Sequence, residues 1–300
     1  MNTREIIKIK GFLGKNNVAD AARIQPSRGK SFLAECLNTD IDDSLMPHRR
    51  NGYGISVRAG TSLHSMWSNG STCLVMDGST LKKLNADYTL STIRASSGTG
   101  IMSYVDVPPK IYLTNGTILG NIENDVFAAF TVPSDSTYKV LMPAGHLVEW
   151  YNGRLLVAKD KTIWYSDAMF PGVMDERRNF KSFSSRITMM AAVRDGVWVS
   201  DLFKTYFLAG ADFKDASLVV RENSRAIEGT AIKIDAQDVD GIEATGRVVV
   251  WVSANGPCLG GGEGYFKNLT KAHYVIGEKT AGAAILRKVN NFQQYLVSVV

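Results

Sequence analysis

The sequence is poor in cysteine and has no hydrophobic run long enough to cross a membrane. Its three cysteines, Cys36, Cys73 and Cys258, are far apart and form no CxxC pair. That pattern argues against a disulfide framework and favours synthesis in a reducing compartment. No apolar run approaches the roughly 18–20 residues of a spanning helix. The N-terminal text MNTREIIKIKGFLG lacks the apolar core and cleavage site of a signal peptide, so no membrane insertion is expected.

The usual motifs of catalysis and cofactor binding are also missing. The sequence contains no G-x-S-x-G, H-E-x-x-H or Walker motif and no repeated sialidase turn. GGGEG (260–264) resembles a phosphate loop, but YFKNLT follows it and predicts strand and turn where such a loop needs a helix. DAQDVDG (235–241) and DIDDS (40–44) lack the full calcium loop with its closing Glu. We therefore expect no enzymatic activity, no cofactor and no metal.

The positive charge is confined to one end of the chain. Residues 1–30 carry seven Lys or Arg and two acidic residues, which accounts for the whole net charge of +5 in the 300-residue chain. The remaining residues are close to neutral. This asymmetry predicts two parts, a basic N-terminal arm over 1–30 and a neutral folded domain over 31–300.

A repeat runs through the folded domain. Turns at Asn69-Gly70, Pro108-Pro109, Asn152-Gly153, Asp195-Gly196, Thr245-Gly246 and Asn290-Asn291 each precede a strongly apolar run. They recur at intervals of roughly 40 to 50 residues, and each unit reads as about four short strands. This period predicts an all-β protein with the β-propeller fold and almost no helix. The five tryptophans are predicted to pack between blades.

The last unit is incomplete, which raises the question of how the ring closes. GAAILRKVNNFQQYLVSVV (282–300) ends after its second strand, and LAECLNTDID with LMPHRRNGYGISV (33–42 and 45–57) supplies another strand pair before the first full unit. Since an open edge invites aggregation, we expect six four-stranded blades, with two strands of one blade from each terminus. Five blades with separate terminal hairpins is the alternative.

The basic arm has an alternating segment, EIIKIKGF (5–12). Ile7 and Ile9 point one way and Lys8 and Lys10 the other. We expect an extended arm that docks on a neighbouring subunit as an added strand, with its basic residues against acidic protein. DNA is disfavoured because the arm lacks interleaved aromatic residues and the domain behind it is neutral. A disordered tail is the alternative. The predicted docking residues are Ile7, Lys8, Ile9, Lys10, Arg23 and Arg28.

Two stretches resemble the proteins of one group. NNVADAARI…SFLAECLNTDIDDSLMPHRRNGY (16–53) resembles the opening of a group of tailed-bacteriophage virion proteins, in which N-V-x-D precedes A-x-N-V-D-I-D-x-x-G-x-x-x-R-R-x-G-Y. The matching positions are Asn17, Val18, Asp20, Asn38, Asp40, Ile41, Asp42, Arg49, Arg50, Gly52 and Tyr53. NGRLLVAKDKTIWYSD (152–167) is similar to their blade text. The sequence departs from the pattern at 45–48, where the usual glycine turn is missing.

The resemblance implies a structural role in a phage tail. It predicts a virion protein of the tail tip, baseplate or nozzle, made in the host cytoplasm, without catalytic residues, that docks other tail proteins in a symmetric homo-oligomer. A glycan- or receptor-binding propeller at the host surface is the alternative. It would require similar aromatic and polar residues at equivalent rim positions of each blade, and the sequence shows no strict recurrence of this kind.

Overall fold

The computed structural model describes residues 9–24, 26–37, 39–41, 44–50, 54, 60–132, 137–239, 241–270, 273–289 and 292–300. These residues form β-strands and three short 3-10 helices, at Ala21–Arg23, Ala236–Asp238 and Gly262–Gly264, and contain no α-helix. None of the helices in this part of the chain is long and apolar enough to span a bilayer.

Four short strands precede the first large sheet. They are β1 (Gly11–Lys15), β2 (Lys30–Leu33), β3 (Thr39–Ile41) and β4 (Pro47–Arg49). β1 pairs in parallel with β2, and β3 pairs antiparallel with β4. We call the described residues from 9 to 50 the N-terminal module. The β3–β4 hairpin forms the predicted strand pair in part. Residues 42 and 43, between its two strands, lie outside the described residues.

Five four-stranded antiparallel sheets follow, numbered I to V in chain order. Sheet I comprises β5 (Leu63–Ser68), β6 (Cys73–Asp77), β7 (Thr80–Leu84) and β8 (Leu90–Arg94). Sheet II comprises β9 (Ser103–Val107), β10 (Lys110–Thr114), β11 (Leu119–Glu123) and β12 (Val126–Ala129). A separate short pair then joins β13 (Val140–Leu141) to β17 (Val173–Met174).

Sheet III is interleaved with that short pair in the sequence, because β17 lies between the third and fourth strands of the sheet. It comprises β14 (Leu147–Tyr151), β15 (Arg154–Lys159), β16 (Thr162–Tyr165) and β18 (Phe180–Ser182). Sheet IV comprises β19 (Ile187–Val193), β20 (Gly196–Asp201), β21 (Thr205–Ala209) and β22 (Ser217–Glu222). Sheet V comprises β23 (Ile232–Asp235), β24 (Arg247–Ser253), β25 (Gly256–Gly260) and β26 (Phe266–Asn268). The C-terminal hairpin pairs β27 (Gly282–Val289) with β28 (Phe292–Val299).

The predicted turns join the first two strands of sheets I to IV. At Asn152-Gly153, both residues have positive φ, 43° and 80°, as a two-residue hairpin of the favoured twist requires. The turn predicted at Thr245-Gly246 does precede β24, but its partner strand β23 lies further back, at Ile232–Asp235. The turn at Asn290-Asn291 lies outside the described residues.

Successive sheets pack face to face around five apolar clusters. Leu74 of sheet I packs with Leu113 of sheet II. Tyr112 of sheet II packs with Leu155 of sheet III. The next clusters join sheets III to IV and IV to V, and the last joins sheet V to Leu286 and Tyr295 of the C-terminal hairpin. The chain is therefore an all-β protein with four-stranded antiparallel sheets in a propeller-like arrangement.

Strand periodicity explains how one sheet serves two of these clusters. In β20, Val197 and Val199 face sheet III while Trp198 faces sheet V. Successive side chains of a strand point to opposite faces, so a strand buried on both sides reads as a continuous apolar run. The tryptophan prediction is confirmed: Trp198 and Trp251 are fully buried between sheets IV and V, and the other three pack beside neighbouring clusters.

Polar bonds tie the first strands of successive sheets together. Ser65 Oγ accepts from Met102 N just before β9 (2.9 Å), and Ser103 Oγ accepts from Val148 N in β14 (3.0 Å). Glu149 Oε2 in turn accepts from Ala192 N in β19 at 3.1 Å. These bonds satisfy backbone donors where the first strands of neighbouring sheets approach one another.

The predicted closure between the chain ends is not visible in the described residues. There, the C-terminal hairpin and β3–β4 are each two-stranded sheets. Part of the expected partner segment, residues 51–53 and 55–57, lies outside the described part of the chain. Five complete four-stranded sheets are present, and the count of six blades stays a prediction.

Candidate docking surface

The N-terminal module is folded back on itself from residue 10 onward. Lys10 N donates to Gly29 O (2.5 Å), Phe12 N to Leu45 O (2.7 Å) and Asn16 N to Leu33 O (2.9 Å). A Cβ on Gly11 would lie 2.6 Å from that of Leu45, so only glycine allows this approach. The prediction of an extended arm is therefore not met over the described residues from 11 to 30, because β1 pairs with β2 and Phe12 bonds to Leu45 within the chain.

Two polar side chains shape the crossover between β1 and β2. Asn16 Oδ1 accepts from the backbone N–H groups of Val18 and Ala19, at 3.0 and 2.9 Å. Asp20 caps the following 3-10 helix by accepting from Ala22 N at 2.9 Å. Short polar side chains of this kind stabilise turns and helix starts. Parallel strands need a long connection. These turns stabilise the connection that leads from the end of β1 back to the start of β2.

A third side chain, Asn17, anchors the module to the propeller. Its Nδ2 donates to Val275 O (2.8 Å) and its Oδ1 accepts from Val275 N (3.0 Å), while Asn17 N donates to His273 O (2.9 Å). The rings of Phe32 and His273 lie 4.2 Å apart. Residues 276 and 277 bond in turn to Ala254 O of sheet V. Asn17 and Asp20 both belong to the N-V-x-D phrase of the sequence analysis. The phrase by itself did not indicate that Asn17 anchors the module or that Asp20 caps the crossover.

The described members of the predicted docking set are all exposed. Ile9, Lys10, Arg23 and Arg28 lie on the surface, whereas Ile7 and Lys8 lie outside the described residues. The structure brings Lys10 close to Arg28, because Lys10 bonds to Gly29 across the strand pair. Arg23 lies at the end of the 3-10 helix of the crossover.

The basic residues of this surface have no acidic partner within the described chain. Arg50 pairs with Asp40 at 2.9 Å, but no ion pair with a described residue involves Lys10, Lys15, Arg23, Arg28 or Lys30. Lys15 and Lys30 belong to this cationic surface although the predicted docking set did not include them. Unpaired cations of one sign create a field that attracts an acidic partner.

The same part of the chain also exposes apolar side chains. In the N-terminal module, Ile9, Leu13, Val18 and Met46 are about half exposed and Leu37 is 82% exposed. A concentration of exposed large apolar residues among polar ones marks an interaction surface. We call these five residues, together with the five unpaired Lys and Arg, the docking surface.

A second, smaller surface projects from the β13–β17 pair. Buried Asp175 accepts two bonds from the Arg177 guanidinium, at 2.9 and 2.8 Å, and pairs with Arg178 at 3.2 Å. The Arg177 bonds hold the pKa of Asp175 well below its usual range. The guanidinium also lies 4.0 Å from the ring centroid of exposed Tyr138. This loop is anchored on a buried carboxylate.

Cys258 is a buried thiol of sheet V. The Cys258 thiol contacts Ser253 Oγ (3.4 Å) and Glu222 Oε2 (3.5 Å), and burial with the nearby carboxylate raises its pKa. A thiol held protonated is a poor nucleophile. GGGEG packs on the core: a Cβ on Gly260 would lie 2.5 Å from the Trp198 ring, and Trp198 Nε1 donates to Gly261 O (3.0 Å).

An open groove of about 520 Å³ crosses the outer part of sheet II. Its lining combines amide and charged groups with one aromatic ring. These residues include Lys110, Asn121, Glu123, Asn124 and Phe130. The groove is wide open to solvent, so it can offer hydrogen bonds to an extended polar ligand but cannot exclude water from a reaction.

Comparison with known proteins gives the fold and no family. No family model matches the chain, and no curated protein matches it. Among solved structures, the extracellular domain assigned to a hybrid two component system of B. thetaiotaomicron is similar, with a TM-score of 0.50 and 8% identity. The alignment covers 80% of this chain and 31% of that one.

Two further solved structures align more loosely. PorZ, a surface component of the type-IX secretion system of Porphyromonas gingivalis, has a TM-score of 0.45 at 13% identity, over 71% of this chain and 27% of its own. The N-terminal domain of Nup159 has 0.46 at 10%, over 80% and 73%. The chain thus spans about a third or less of the B. thetaiotaomicron domain and of PorZ. At such identities, likeness concerns the fold alone.

Proposed function

We propose that this chain is a structural subunit of the tail of a tailed bacteriophage, in the tip, baseplate or nozzle, and not an enzyme. The observation that carries the proposal is the docking surface. It combines unpaired cations with exposed apolar side chains on a module that is held to the propeller at Asn17 and Phe32. A rigid body that presents such a surface is suited to binding neighbouring proteins.

The resemblance to tailed-phage virion proteins supplies the identity of the assembly. Its N-V-x-D phrase includes the residue that anchors the module, Asn17, and the residue that caps the crossover, Asp20. We infer that the phrase specifies how the N-terminal module is seated on the propeller. The acidic partner is then another tail protein or a second copy of this chain, and packaged DNA is disfavoured.

The proposal includes six blades with a shared closing blade. The C-terminal hairpin offers two strands, and residues 33–57 offer the other two. Exposed Ile285 on the hairpin face opposite sheet V supports this arrangement, because an uncovered apolar face calls for a neighbour. Deleting residues 284–300 should expose that edge and cause aggregation. A truncated chain that stays soluble and unfolds cooperatively would contradict the shared blade.

The function is tested on particles. Phage made from a genome that encodes the tagged full chain should contain it after density-gradient purification. Negative-stain images with antibody to the tag should show label at the tail. A matched genome that expresses the tag on a host protein controls for adhesion. Particles that lack the chain yet infect normally would contradict the structural role.

The groove on sheet II supports glycan binding as a second candidate function. Asn121, Asn124 and Phe130 are residue types that bind sugars through amide hydrogen bonds and ring stacking. A glycan array with the purified chain separates the two functions. Binding that is lost in Asn121→Ala but kept in Lys10→Glu favours the receptor function, and absence of binding favours the structural one.

A further inference from the structure

Three side chains with complementary chemistry meet beside the β13–β17 pair. Asp167 Oδ2 forms an ion pair with the ammonium group of Lys139, and Asp167 Oδ1 accepts a hydrogen bond from Asn179 Nδ2 at 2.9 Å. One carboxylate therefore holds an amine on one oxygen and a carboxamide on the other. Lys139 and Asn179 lie 28 and 12 positions from Asp167 in the sequence, so the fold brings the three groups together.

The short strand β17 holds the two charged groups in place. Met174 pairs with Val140, the residue next to Lys139. Asp167 N donates to Val173 O at 3.0 Å. The backbone on both sides of the ion pair is therefore fixed to the same strand, which keeps the amine and the carboxylate in register.

Asn179 presents a buried amide to this pair. It is 6% exposed, its backbone N–H donates to Asp175 O at 2.9 Å, and its carbonyl accepts from Tyr165 N at 3.0 Å. The side chains of Lys139 and Asp167 are 31% and 28% exposed. An amide that is shielded from water and fixed close to one amine is open to attack by that amine, while hydrolysis is disfavoured.

The other lysine ion pairs of the described chain lack the third group. They are Lys82–Asp77, Lys83–Asp125, Lys110–Glu123 and Lys233–Glu149. Asp77 and Glu149 accept their further hydrogen bonds from backbone N–H groups. Within the described residues, no side-chain amide bonds to Asp125 or Glu123. Asp167 is therefore the carboxylate on which a lysine amine and a side-chain amide meet.

We propose that Lys139 and Asn179 form an intramolecular isopeptide bond, with Asp167 as the general base and proton carrier. Asp167 takes a proton from the Lys139 ammonium, and the freed Nζ attacks Cγ of Asn179. Asp167 passes the proton to Nδ2, the Cγ–Nδ2 bond breaks, and ammonia departs. The second proton that Nζ loses leaves with it as ammonium, so an amine and an amide become one new amide without oxidant or cofactor. The proposal does not rest on the proposed function.

The first test is the intact mass of the full chain under denaturing and reducing conditions. Loss of ammonia should make the chain about 17 Da lighter than its sequence. Lys139→Arg keeps the charge but has no nucleophilic amine, and Asp167→Asn keeps the shape but cannot carry the proton. Each variant should have the full mass of its own sequence. Lys82→Arg, at an ion pair without an amide, should keep the loss.

The second test locates the bond by peptide mapping. Trypsin does not cleave after an acylated lysine, so residues 111–154 should stay in one piece and be linked to residues 179–181. Cyanogen bromide cleaves after methionine and should leave residues 103–142 joined to residues 175–189. Both linked products should be missing from digests of Lys139→Arg and of Asp167→Asn.

Three results would overturn the proposal. The first is a chain that has the full mass of its sequence both when purified and after prolonged incubation at neutral pH. The second is a mass loss that persists in Lys139→Arg. The third is a link from Lys139 to the cyanogen bromide fragment 143–169, which contains Asp167, because the carboxylate would then be the acylating group and not the proton carrier.

Discussion

The contact between sheets IV and V and the contact of the N-terminal module with residues 273–275, which follow sheet V, are held by different forces. Trp198, Phe207 and Trp251 fill the first and are excluded from water. The second consists of three hydrogen bonds of Asn17, two with Val275 and one with His273, and one ring contact. Buried aromatic side chains contribute several kcal/mol each, while a hydrogen bond contributes about 1 kcal/mol net. The sheets are therefore the stable body, and the module is a lightly held attachment whose apolar and cationic groups face outward.

This difference shows how one chain can combine rigidity with docking. A module whose apolar groups were buried and whose charges were paired within the chain would have no side chains available to bind a neighbour. The module instead satisfies its backbone through β1–β2 pairing and leaves side chains uncovered. Local stability is expected to follow the same division, with the module opening at lower free energy than the sheets.

The largest effect is expected from truncating the aromatic contact. Trp198→Ala removes a fully buried ring and its bond to Gly261 O. It should lower the free energy of unfolding by about 3–5 kcal/mol, as measured by urea denaturation. Phe203→Ala, at a mostly exposed aromatic of the same sheet's edge loop, should change it little. Equal losses for the two variants would show that sheets IV and V are not the stable body.

A smaller loss of stability is expected from breaking the Glu149–Lys233 ion pair, which joins the first strands of sheets III and V. Glu149 is 5% exposed, and both of its oxygens accept from Lys233 Nζ at 2.8 Å. Lys233→Met leaves a buried carboxylate without its cation and should cost about 2 kcal/mol in the same assay. Lys110→Met, at a pair whose partners are 40% and 41% exposed, should cost under about 0.5 kcal/mol. The burial argument fails if both substitutions cost the same.

The attachment of the module should respond to one side chain. Asn17→Ala removes both Val275 bonds and should weaken the contact by about 1–2 kcal/mol. Hydrogen exchange should then show about tenfold faster exchange at the Val275 amide and unchanged exchange in β20. Leu13→Ala, an exposed position of β1, serves as the control. Unchanged protection of Val275 would mean that another contact holds the module.

The smallest effect is a pH dependence at His146. Its burial lowers the pKa of the imidazole, and Nε2 lies 2.7 Å from Ile187 O. The unfolded chain takes up the proton first as pH falls below about 6.5, so stability should decline from there down to the lowered folded pKa. His146→Gln should flatten this decline in melting temperature between pH 7 and pH 5, whereas His48→Gln at an exposed site should not. A decline of the same slope in His146→Gln would exclude His146 as its source.

The sheets could be predicted because their determinants are local. Turns such as Asn152-Gly153 and doubly buried runs such as Val197–Val199 lie within a few residues of their partners. The N-terminal module could not, since its parallel pairing depends on Asn16 and Asp20 turning the chain, and its anchor joins Asn17 to Val275, 258 positions away. Composition located the cationic surface, but the folding that collects Lys10, Arg28 and Lys30 on it was not foreseen.

The packing of GGGEG also could not be predicted from the sequence. A glycine run predicts a loop by default, and nothing local shows that Trp198, far away in the chain, needs the space above Gly260. The same holds for Asp175, whose position inside a run of charges suggested solvent exposure. Its partners Arg177 and Arg178 are local, but its burial comes from the fold around the β13–β17 pair. In both cases the burial depends on contacts between segments that are distant in the sequence.

The central claim, that the cations of the docking surface bind a neighbouring tail protein, is tested most directly by incorporation into particles. The variant Lys10→Glu, Arg23→Glu, Arg28→Glu changes exposed side chains and leaves the module's backbone bonds in place. The account predicts that it melts like the unaltered chain but is missing from purified particles, while Lys159→Glu, at an exposed lysine of sheet III, is incorporated normally. Particles that contain the triple variant at the normal level would contradict the account.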